Sequence, residues 1–226
     1  MQMTEENVAQ ARQIASRAGS RCLDLGGALA AVTVLAPVFL VASLMILMED
    51  GRPILFRQKR VGRNGELFDI LKFRTMSAGA EGPSITVAGD RRITSAGARL
   101  RKYKLDELPQ FLNVLCGHMS LIGPRPEVPE YVEPEDSLWQ AVLQVRPGIT
   151  DLASLAFRNE EEMLAPATDP SSYYRSSVLP EKLKLNLKYQ RSRSLLRDCK
   201  LLWMTARYSF YPRGFDRDRI VRSLGE

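Results

Sequence analysis

The feature that most constrains this chain is an uncharged run from Leu25 to Met48 with Pro37 at its centre. At the helical rise of ~1.5 Å per residue, the run is long enough to reach across the roughly 30 Å hydrocarbon core of a bilayer. A proline inside a helix removes one backbone donor and clashes with the preceding turn, so the helix bends there. The sequence therefore predicts a membrane helix with a kink at mid-depth.

Basic residues flank the apolar run on both sides. They are Arg12, Arg17 and Arg21 before it, and Arg52, Arg57, Lys59, Arg60 and Arg63 after it. Because Lys and Arg mark the cytoplasmic side, a simple span would place one cluster outside. A helix that breaks at Ala36 and Pro37 and returns to the same face keeps both clusters in the cytoplasm. We therefore favour a re-entrant helix, and the alternative is an ordinary Pro-kinked transmembrane anchor.

Length and charge limit the remainder of the chain. The predicted units are a polar N-terminal helix (1–20), the re-entrant helix (21–50), one compact domain (51–207) and a basic, aromatic tail (208–226). The formal charge of +6 suits an anionic partner, which on charge alone is anionic lipid, a phosphorylated substrate or nucleic acid. The predicted fold class is α+β, mainly helical.

Cysteine and histidine usage excludes several kinds of site. Cys22, Cys116 and Cys199 are far apart and form no paired motif, so neither a disulfide framework nor a zinc site is indicated. The only histidine of the chain is His118. We therefore exclude zinc helices with two histidines, and also histidine-based triads, which need further partners nearby. We interpret His118 as structural.

Local patterns predict the elements of the domain. Between positions 53 and 76, β-branched and aromatic residues interrupted by Gly62, Asn64 and Gly65 predict a two-strand hairpin. Ser77 to Asp90, rich in Gly, Ala and Ser, predicts a mobile loop, and Thr94 to Lys104 a basic helix. At the N-terminus, Thr4 is a candidate helix cap.

An acidic pair, Asp106 and Glu107, follows this basic helix in the sequence KLDELPQ. Since Pro109 is tolerated only in the first turn of a helix, we expect a helix to begin near Asp106. There the two carboxylates are either caps that complement the helix dipole or chemical groups. An acidic pair beside cations can hold Mg²⁺ and attack a phosphoryl group with one carboxylate.

The C-terminal third alternates leucines with lysines and arginines, as amphipathic helices at an anionic membrane surface do. The apolar residues are Leu183, Leu187, Leu195, Leu196, Leu202 and Trp203. An aromatic cluster typical of the headgroup region follows, made of Tyr208, Phe210, Tyr211 and Phe215. For Leu183 to Leu187, packing on the domain core is an equally good interpretation.

Several spaced motifs carry a family resemblance: KFRTM (72–76), LDELPQ (105–110), NVL (113–115), MSLIGPRP (119–126) and RPGIT (146–150). In order and spacing they resemble the bacterial sugar transferases, the monotopic phosphoglycosyl transferases that act on polyprenyl phosphate. The resemblance spans roughly Arg21 to Ala206. It implies a minimal catalytic form on the cytoplasmic face of the bacterial inner membrane, with anionic lipids rather than nucleic acid as neighbours.

The resemblance implies a reaction as well. Asp106 would attack the β-phosphate of a UDP-sugar, release UMP and form a covalent phosphosugar intermediate, which polyprenyl (undecaprenyl) phosphate would then attack. Glu107 would position the pair and, with Asp106, hold Mg²⁺. Such chemistry requires charge neutralisation more than acid–base machinery.

The resemblance also assigns substrate-binding positions. Lys72, Arg125 and Arg158 would surround the phosphates, and Asp169 would lie near the site. Two of these have structural alternatives: Lys72 on the solvent face of a strand, and Arg158 paired with nearby glutamates. Arg125, fixed between two prolines, suits a rigid donor.

The chain also departs from the family pattern. Ala36 precedes Pro37 where many members have serine, and Asp151 follows RPGIT where glycine is common. The segment after Asp151 is expected to touch sugar or nucleotide, and it differs from that of members that transfer hexose phosphates. The identity of the sugar therefore stays open. The oligomeric state stays open as well. Two other functions also remain open: a non-catalytic basic membrane-binding module, and a lipid-phosphate or nucleotide-sugar hydrolase that uses the same acidic pair.

Overall fold

The computed structural model describes residues 5–80, 82, 85–211 and 213–225, and side chains from residue 20 onward. The helices are α1 (Glu5–Val34), α2 (Ala36–Asp50), α3 (Ser95–Lys102), α4 (Gln110–Leu115), α5 (Ser137–Val142), α6 (Leu152–Ala156), α7 (Glu160–Leu164), α8 (Pro170–Tyr173), α9 (Leu179–Arg191), α10 (Leu195–Phe210) and α11 (Arg217–Gly225). The strands are β1 (Leu55–Val61), β2 (Leu67–Phe73), β3 (Ser120–Ile122) and β4 (Gly148–Thr150). The predicted mainly helical α+β class is confirmed.

The predicted hairpin is also confirmed. Strands β1 and β2 pair antiparallel, and the turn between them contains Asn64 in the left-handed region at φ 57°. Asn113 of α4 fixes the position of β2, because its side chain accepts from the Leu71 amide at 2.9 Å and donates to the Asp69 carbonyl at 2.8 Å. His118 stacks on Phe68 with ring centroids 5.7 Å apart, as expected of a structural histidine.

The apolar run forms two helices that meet at a bend. No single helix of the described chain is long and apolar enough to cross a bilayer, but Ser20–Val34 and Ala36–Asp50, bent by 60°, reach that length together. The break falls at Leu35, directly before Ala36 and Pro37. Because Pro37 lies in the first turn of α2, it ends the α1 pattern without occupying the middle of a helix.

Much of the apolar surface of this bent pair is exposed. Large exposed side chains are Leu23, Leu25, Leu29, Val34, Leu40, Val41, Leu44, Leu47 and Met48. The buried apolar residues of the pair are Ala28, Ala42 and Ile46. An apolar patch of this extent marks an interaction surface.

The first helix is anchored to the domain through two charged residues that precede its apolar part. Arg21 donates to the Val114 carbonyl at 2.7 Å. One turn later, the buried Asp24 carboxylate accepts from the Ser120 hydroxyl at 2.6 Å and from the Leu121 amide at 2.9 Å. These bonds attach α1 to α4 and β3 just before the apolar run begins.

The second helix is anchored at its far end. Glu49 accepts from the backbone amides of Ser95 and Ala96 at 2.7 and 2.6 Å, so it occupies two of the unpaired donors at the start of α3. The buried Arg74 donates to the Asp50 carbonyl at 2.8 Å and pairs with its carboxylate at 3.1 Å. Both ends of the bent pair are thus fixed to one body.

The C-terminal helices divide between core and surface. Leu183 is buried in the core and Leu187 packs against it. The segment from Leu183 to Leu187 therefore packs on the domain core, as the second of its two interpretations predicts. The predicted aromatic cluster does not stay together. Tyr208 is buried edge-to-face against Phe215 at 5.5 Å, because α10 turns that side toward α11. On α10 and just beyond it, the exposed apolar residues are Leu195, Leu196, Leu202, Trp203, Phe210 and Tyr211.

We predict that Asp24→Ala destabilises the protein by about 2 kcal/mol, because it leaves a buried hydroxyl and a backbone amide without their acceptor. For a protein of this size, that corresponds to a loss of roughly 4–8 °C in Tm. Thermal unfolding in detergent measures the change. Cys22→Ser, at an exposed position of the same helix turn, is the control; equal Tm values for Asp24→Ala and the wild type would contradict the anchoring role.

Candidate functional site

The acidic pair lies on a 3₁₀ turn, Leu105–Glu107, and not at the start of an α-helix as the sequence predicts. The turn follows Lys104, which has left-handed backbone torsion angles (φ 57°, ψ 23°). The next helix, α4, begins at Gln110 after Pro109. Neither carboxylate caps a helix, so the capping interpretation is wrong. The left-handed residue turns the chain sharply and points the pair into the domain.

Glu107 lies between two cations. Its Oε1 is 3.1 Å from Lys72 Nζ and 2.5 Å from Arg125 Nη2, and its Oε2 accepts from Arg125 Nη1 at 3.2 Å. Burial alone would raise the pKa of the Glu107 carboxyl, but the charges of Arg125 and Lys72 hold it well below its ordinary value. Glu107 is therefore an ionised carboxylate that binds Arg125 through both oxygens and Lys72 through one.

Asp106 is buried and differs from its neighbour. No described residue donates a hydrogen bond to its Oδ1. Burial raises the pKa of Asp106, and the negative charge of Glu107 raises it further, while Lys72 and Lys104 act in the opposite direction. A desolvated carboxylate oxygen without a partner is poorly stabilised as an anion, which makes it a stronger base and nucleophile.

Lys72 completes this group from β2. Its side chain is 17% exposed and lies against Glu107, so the strand does not place it on the solvent face. Burial lowers the pKa of Lys72 to about 8, against the attraction of Glu107. The sequence-predicted residues Lys72, Asp106, Glu107 and Arg125 are thus brought together.

A second group of charges continues from this one, and the sequence analysis missed it. Glu127, buried, lies 3.7 Å from Arg60 Nη1 and 3.7 Å from Lys182 Nζ, and accepts from the Tyr174 hydroxyl at 2.6 Å. Lys182 also donates to Glu160 at 2.8 Å and to the Tyr174 hydroxyl at 3.1 Å. We call these five residues the buried polar network. No local pattern identifies them, because they come from five separate segments.

The site opens into a cleft of about 410 Å³, within the range of ligand-binding pockets. The cations and hydroxyl-bearing residues in its lining are Lys104, Arg125, Thr150, Ser154, Arg158, Lys182, Thr205 and Ser209. Apolar residues in the lining include Leu35, Leu105, Leu108, Phe111, Leu202 and Phe210. The cleft therefore extends from Glu107, the neighbour of Asp106 in the chain, to Leu35 at the helix bend and to Leu202 and Phe210 of α10.

The last two predicted residues have different positions. Arg158 lines the cleft and donates to the Tyr208 carbonyl, and none of its described contacts is an ion pair with the glutamates that follow it. Burial lowers the pKa of Arg158. Asp169 is exposed and caps α8, accepting from the amides of Ser171 and Ser172 at 3.0 and 3.1 Å. The structure does not bring Asp169 to the lining of the cleft.

The described residues contain no group of three or more His, Cys, Asp or Glu side chains that could hold a metal ion alone. Mg²⁺ usually binds one or two carboxylates together with phosphates and water. The unpaired Oδ1 of Asp106 fits such a role, and the Glu107 oxygens are engaged by Lys72 and Arg125. The site therefore suits a Mg²⁺ ion that arrives with a phosphorylated substrate.

Comparison with known proteins identifies the family. The family model for bacterial sugar transferases matches residues 15–211. The UDP-glucose:undecaprenyl-phosphate glucose-1-phosphate transferase of Caulobacter vibrioides is 37% identical over 82% of this chain and 67% of its own length. Exopolysaccharide production protein ExoY of Sinorhizobium fredii is 36% identical over 62% of this chain and 70% of its own. Galactosyl transferase CpsE of Streptococcus agalactiae is 35% identical over 82% of this chain and 40% of its own. This chain is a transferase and belongs to the bacterial sugar transferase family.

Proposed function

We propose that this protein transfers a sugar phosphate from a UDP-sugar to polyprenyl phosphate and releases UMP, as an early membrane step of polysaccharide synthesis. The names of its relatives support the reaction class, since the Caulobacter protein is a UDP-glucose:undecaprenyl-phosphate glucose-1-phosphate transferase. The observation that carries the proposal is the buried, unpaired Asp106 oxygen beside Glu107, Lys72 and Arg125.

The reaction runs in two displacements. An Asp106 carboxylate oxygen attacks the β-phosphorus of the donor, a P–O bond forms, and the bond to the UMP oxygen breaks with its electron pair leaving on UMP. The resulting acyl phosphate is reactive. An oxygen of polyprenyl phosphate then attacks the same phosphorus, the Asp106 carboxylate leaves, and the sugar remains on a polyprenyl diphosphate. Splitting the transfer in this way lets one cleft serve both substrates in turn.

The neighbouring side chains supply charge and position. Lys72 and Arg125 face the phosphates and neutralise the charge that develops on the departing UMP, while Glu107 holds both cations in place. Arg158 lines the same cleft and is suited to the phosphate or the uridine. Asp106 would hold Mg²⁺ together with the diphosphate, since the Glu107 oxygens are engaged by Lys72 and Arg125, and the ion would add positive charge at the transferred group.

We further propose that the bent helix pair is a re-entrant membrane segment and that the enzyme is monotopic on the cytoplasmic face. The exposed apolar sides of α1, α2 and α10 favour burial in lipid. The basic residues at both ends of the pair favour one face. Because Leu35, Leu202 and Phe210 line the cleft, a lipid-linked acceptor reaches the acidic pair directly from the bilayer.

We predict that Asp106→Asn abolishes UMP release from UDP-sugars, because the neutral amide cannot attack phosphorus. The assay incubates purified protein with a panel of UDP-sugars, Mg²⁺ and undecaprenyl phosphate and measures UMP. Donor alone should add the mass of a sugar phosphate to the wild-type peptide that contains position 106.

Asp169→Asn is the matched control, because this carboxylate caps α8 outside the cleft lining; it should release UMP as the wild type does. Normal turnover by Asp106→Asn would support a non-catalytic role for the pair. Release of free sugar phosphate without an acceptor would indicate a hydrolase.

We predict a bell-shaped dependence of kcat/KM for the donor on pH. Asp106 must be ionised to attack, and its pKa is raised, so activity falls with decreasing pH at values above the ordinary aspartate pKa of about 3.9. Lys72 must be protonated, and its pKa is about 8, so activity falls again as pH rises through that value. In Lys72→Arg the alkaline decline should move upward, because guanidinium stays charged. An unchanged alkaline decline would exclude Lys72 as its source.

We predict that both ends of the bent pair are protected from an impermeant thiol reagent added outside intact cells. Cys22 reports on one end, and Arg52→Cys reports on the other, each with the remaining cysteines replaced by serine. Both should react once the membrane is permeabilised. Labelling of Cys22 from outside would instead establish a spanning helix.

A further inference from the structure

A carboxylate on the wall of the cleft has no role in the displacement steps. Glu160 lies at the first position of α7 and lines the cleft, with 29% of its side chain exposed. Its Oε2 accepts from Lys182 Nζ at 2.8 Å. Within the described part of the chain, no residue donates a hydrogen bond to Oε1. Half of this carboxylate is therefore available to a ligand.

The available oxygen is held firmly. Lys182, only 4% exposed, also contacts the Tyr174 hydroxyl at 3.1 Å and lies 3.7 Å from Glu127. The network contains two cations, Arg60 and Lys182, and two carboxylates, so its charges balance. Lys182 is thus committed to its partners, and Glu160 presents its second oxygen in a fixed direction.

The chemistry of a carboxylate selects what it can bind here. Three carboxylates line the cleft, and the other two are engaged: Glu107 with Lys72 and Arg125, and Glu161 with Arg101. An ionised carboxylate only accepts hydrogen bonds, so Glu160 repels phosphate but binds hydroxyl groups. Ser154 and Thr150, which also carry hydroxyls, line the same cleft. A nucleotide sugar carries hydroxyls on its sugar and on its ribose.

We propose that Glu160 is a specificity-determining residue that binds hydroxyl groups of the UDP-sugar, with Lys182 as its positioning residue. This inference rests on the proposed function. It explains why the network ends at the cleft: Glu127 and Tyr174 fix Lys182, Lys182 fixes Glu160, and Glu160 meets the donor. A substrate that lacks the contacted hydroxyl would leave the carboxylate without its partner, which is how a polar site rejects analogues.

The test compares the wild type with Glu160→Gln on any UDP-sugar from which the wild type releases UMP. Loss of a hydrogen bond to a charged group should raise the donor KM about tenfold, with little change in kcat. A series of donor analogues, each with one sugar or ribose hydroxyl replaced by hydrogen, then locates the contact. Removing the contacted hydroxyl from the donor should raise the donor KM of the wild type about tenfold. The same removal should leave the donor KM of Glu160→Gln unchanged.

Glu181→Gln is the matched control, since it removes one charge next to Lys182 in the chain but from an exposed ion pair with Arg217. It should keep the wild-type donor KM. An inhibition constant for UMP that rises in Glu160→Gln places the contact on the ribose, and one that does not rise places it on the sugar.

Tm measurements identify any variant that unfolds. If Glu160→Gln unfolds, Glu160→Asp replaces it in the analogue series, because aspartate keeps the charge but its shorter side chain moves the carboxylate away from the cleft. Equal penalties for every analogue in wild type and variant would overturn the proposal. Absence of UMP release by the wild type itself would refute the proposed function instead, so the two failures are distinguishable.

Discussion

The contact on which the site depends is the buried carboxylate of Glu107 between Lys72 and Arg125. It joins the hairpin, the 3₁₀ turn and the proline-flanked segment that carries Arg125. Removing one member of a buried ion group leaves an uncompensated charge, at a cost of roughly 3–5 kcal/mol. The three segments are therefore held in register, and Asp106, next to Glu107 on the turn, is positioned as a consequence.

The same kind of anchoring connects the bent helix pair to the site. Arg21 and Asp24 fix one helix to α4 and β3, and Glu49 fixes the other to the start of α3. Helix α3 leads directly into the turn with the acidic pair, and α4 follows it. If the pair is the proposed re-entrant segment, the depth at which its apolar faces enter lipid sets the height of the cleft relative to the headgroups. In the proposed function, the rigid attachment of both helices would let a lipid-linked acceptor and a soluble donor meet at the cleft.

Sequence reasoning succeeded where the determining interactions are local. Alternating apolar residues around Asn64 are sufficient for a hairpin, and Pro37 for a bend. The helix start near Asp106 was wrong, because the left-handed Lys104 and the tertiary ion group override the signal of Pro109. Lys182 and Glu160 were missed because their contacts come from distant segments, and a lysine within an amphipathic pattern is normally a surface residue. The only hint in the sequence is that Lys182 lies between Leu179 and Leu183, which are the core leucines of α9.

The two carboxylates of the pair show how one environment can assign two roles. Both are buried, and burial disfavours both anions. Glu107 receives two cations at hydrogen-bonding distance and stays ionised, whereas Asp106 receives only longer-range attraction and keeps one oxygen without a partner. A carboxylate stabilised like Glu107 would be a poor nucleophile, because its lone pairs are committed. In the proposed reaction the protein thus stabilises the neighbour of its nucleophile, and the Asp106 oxygen without a partner would stay reactive until a phosphorylated substrate reaches it.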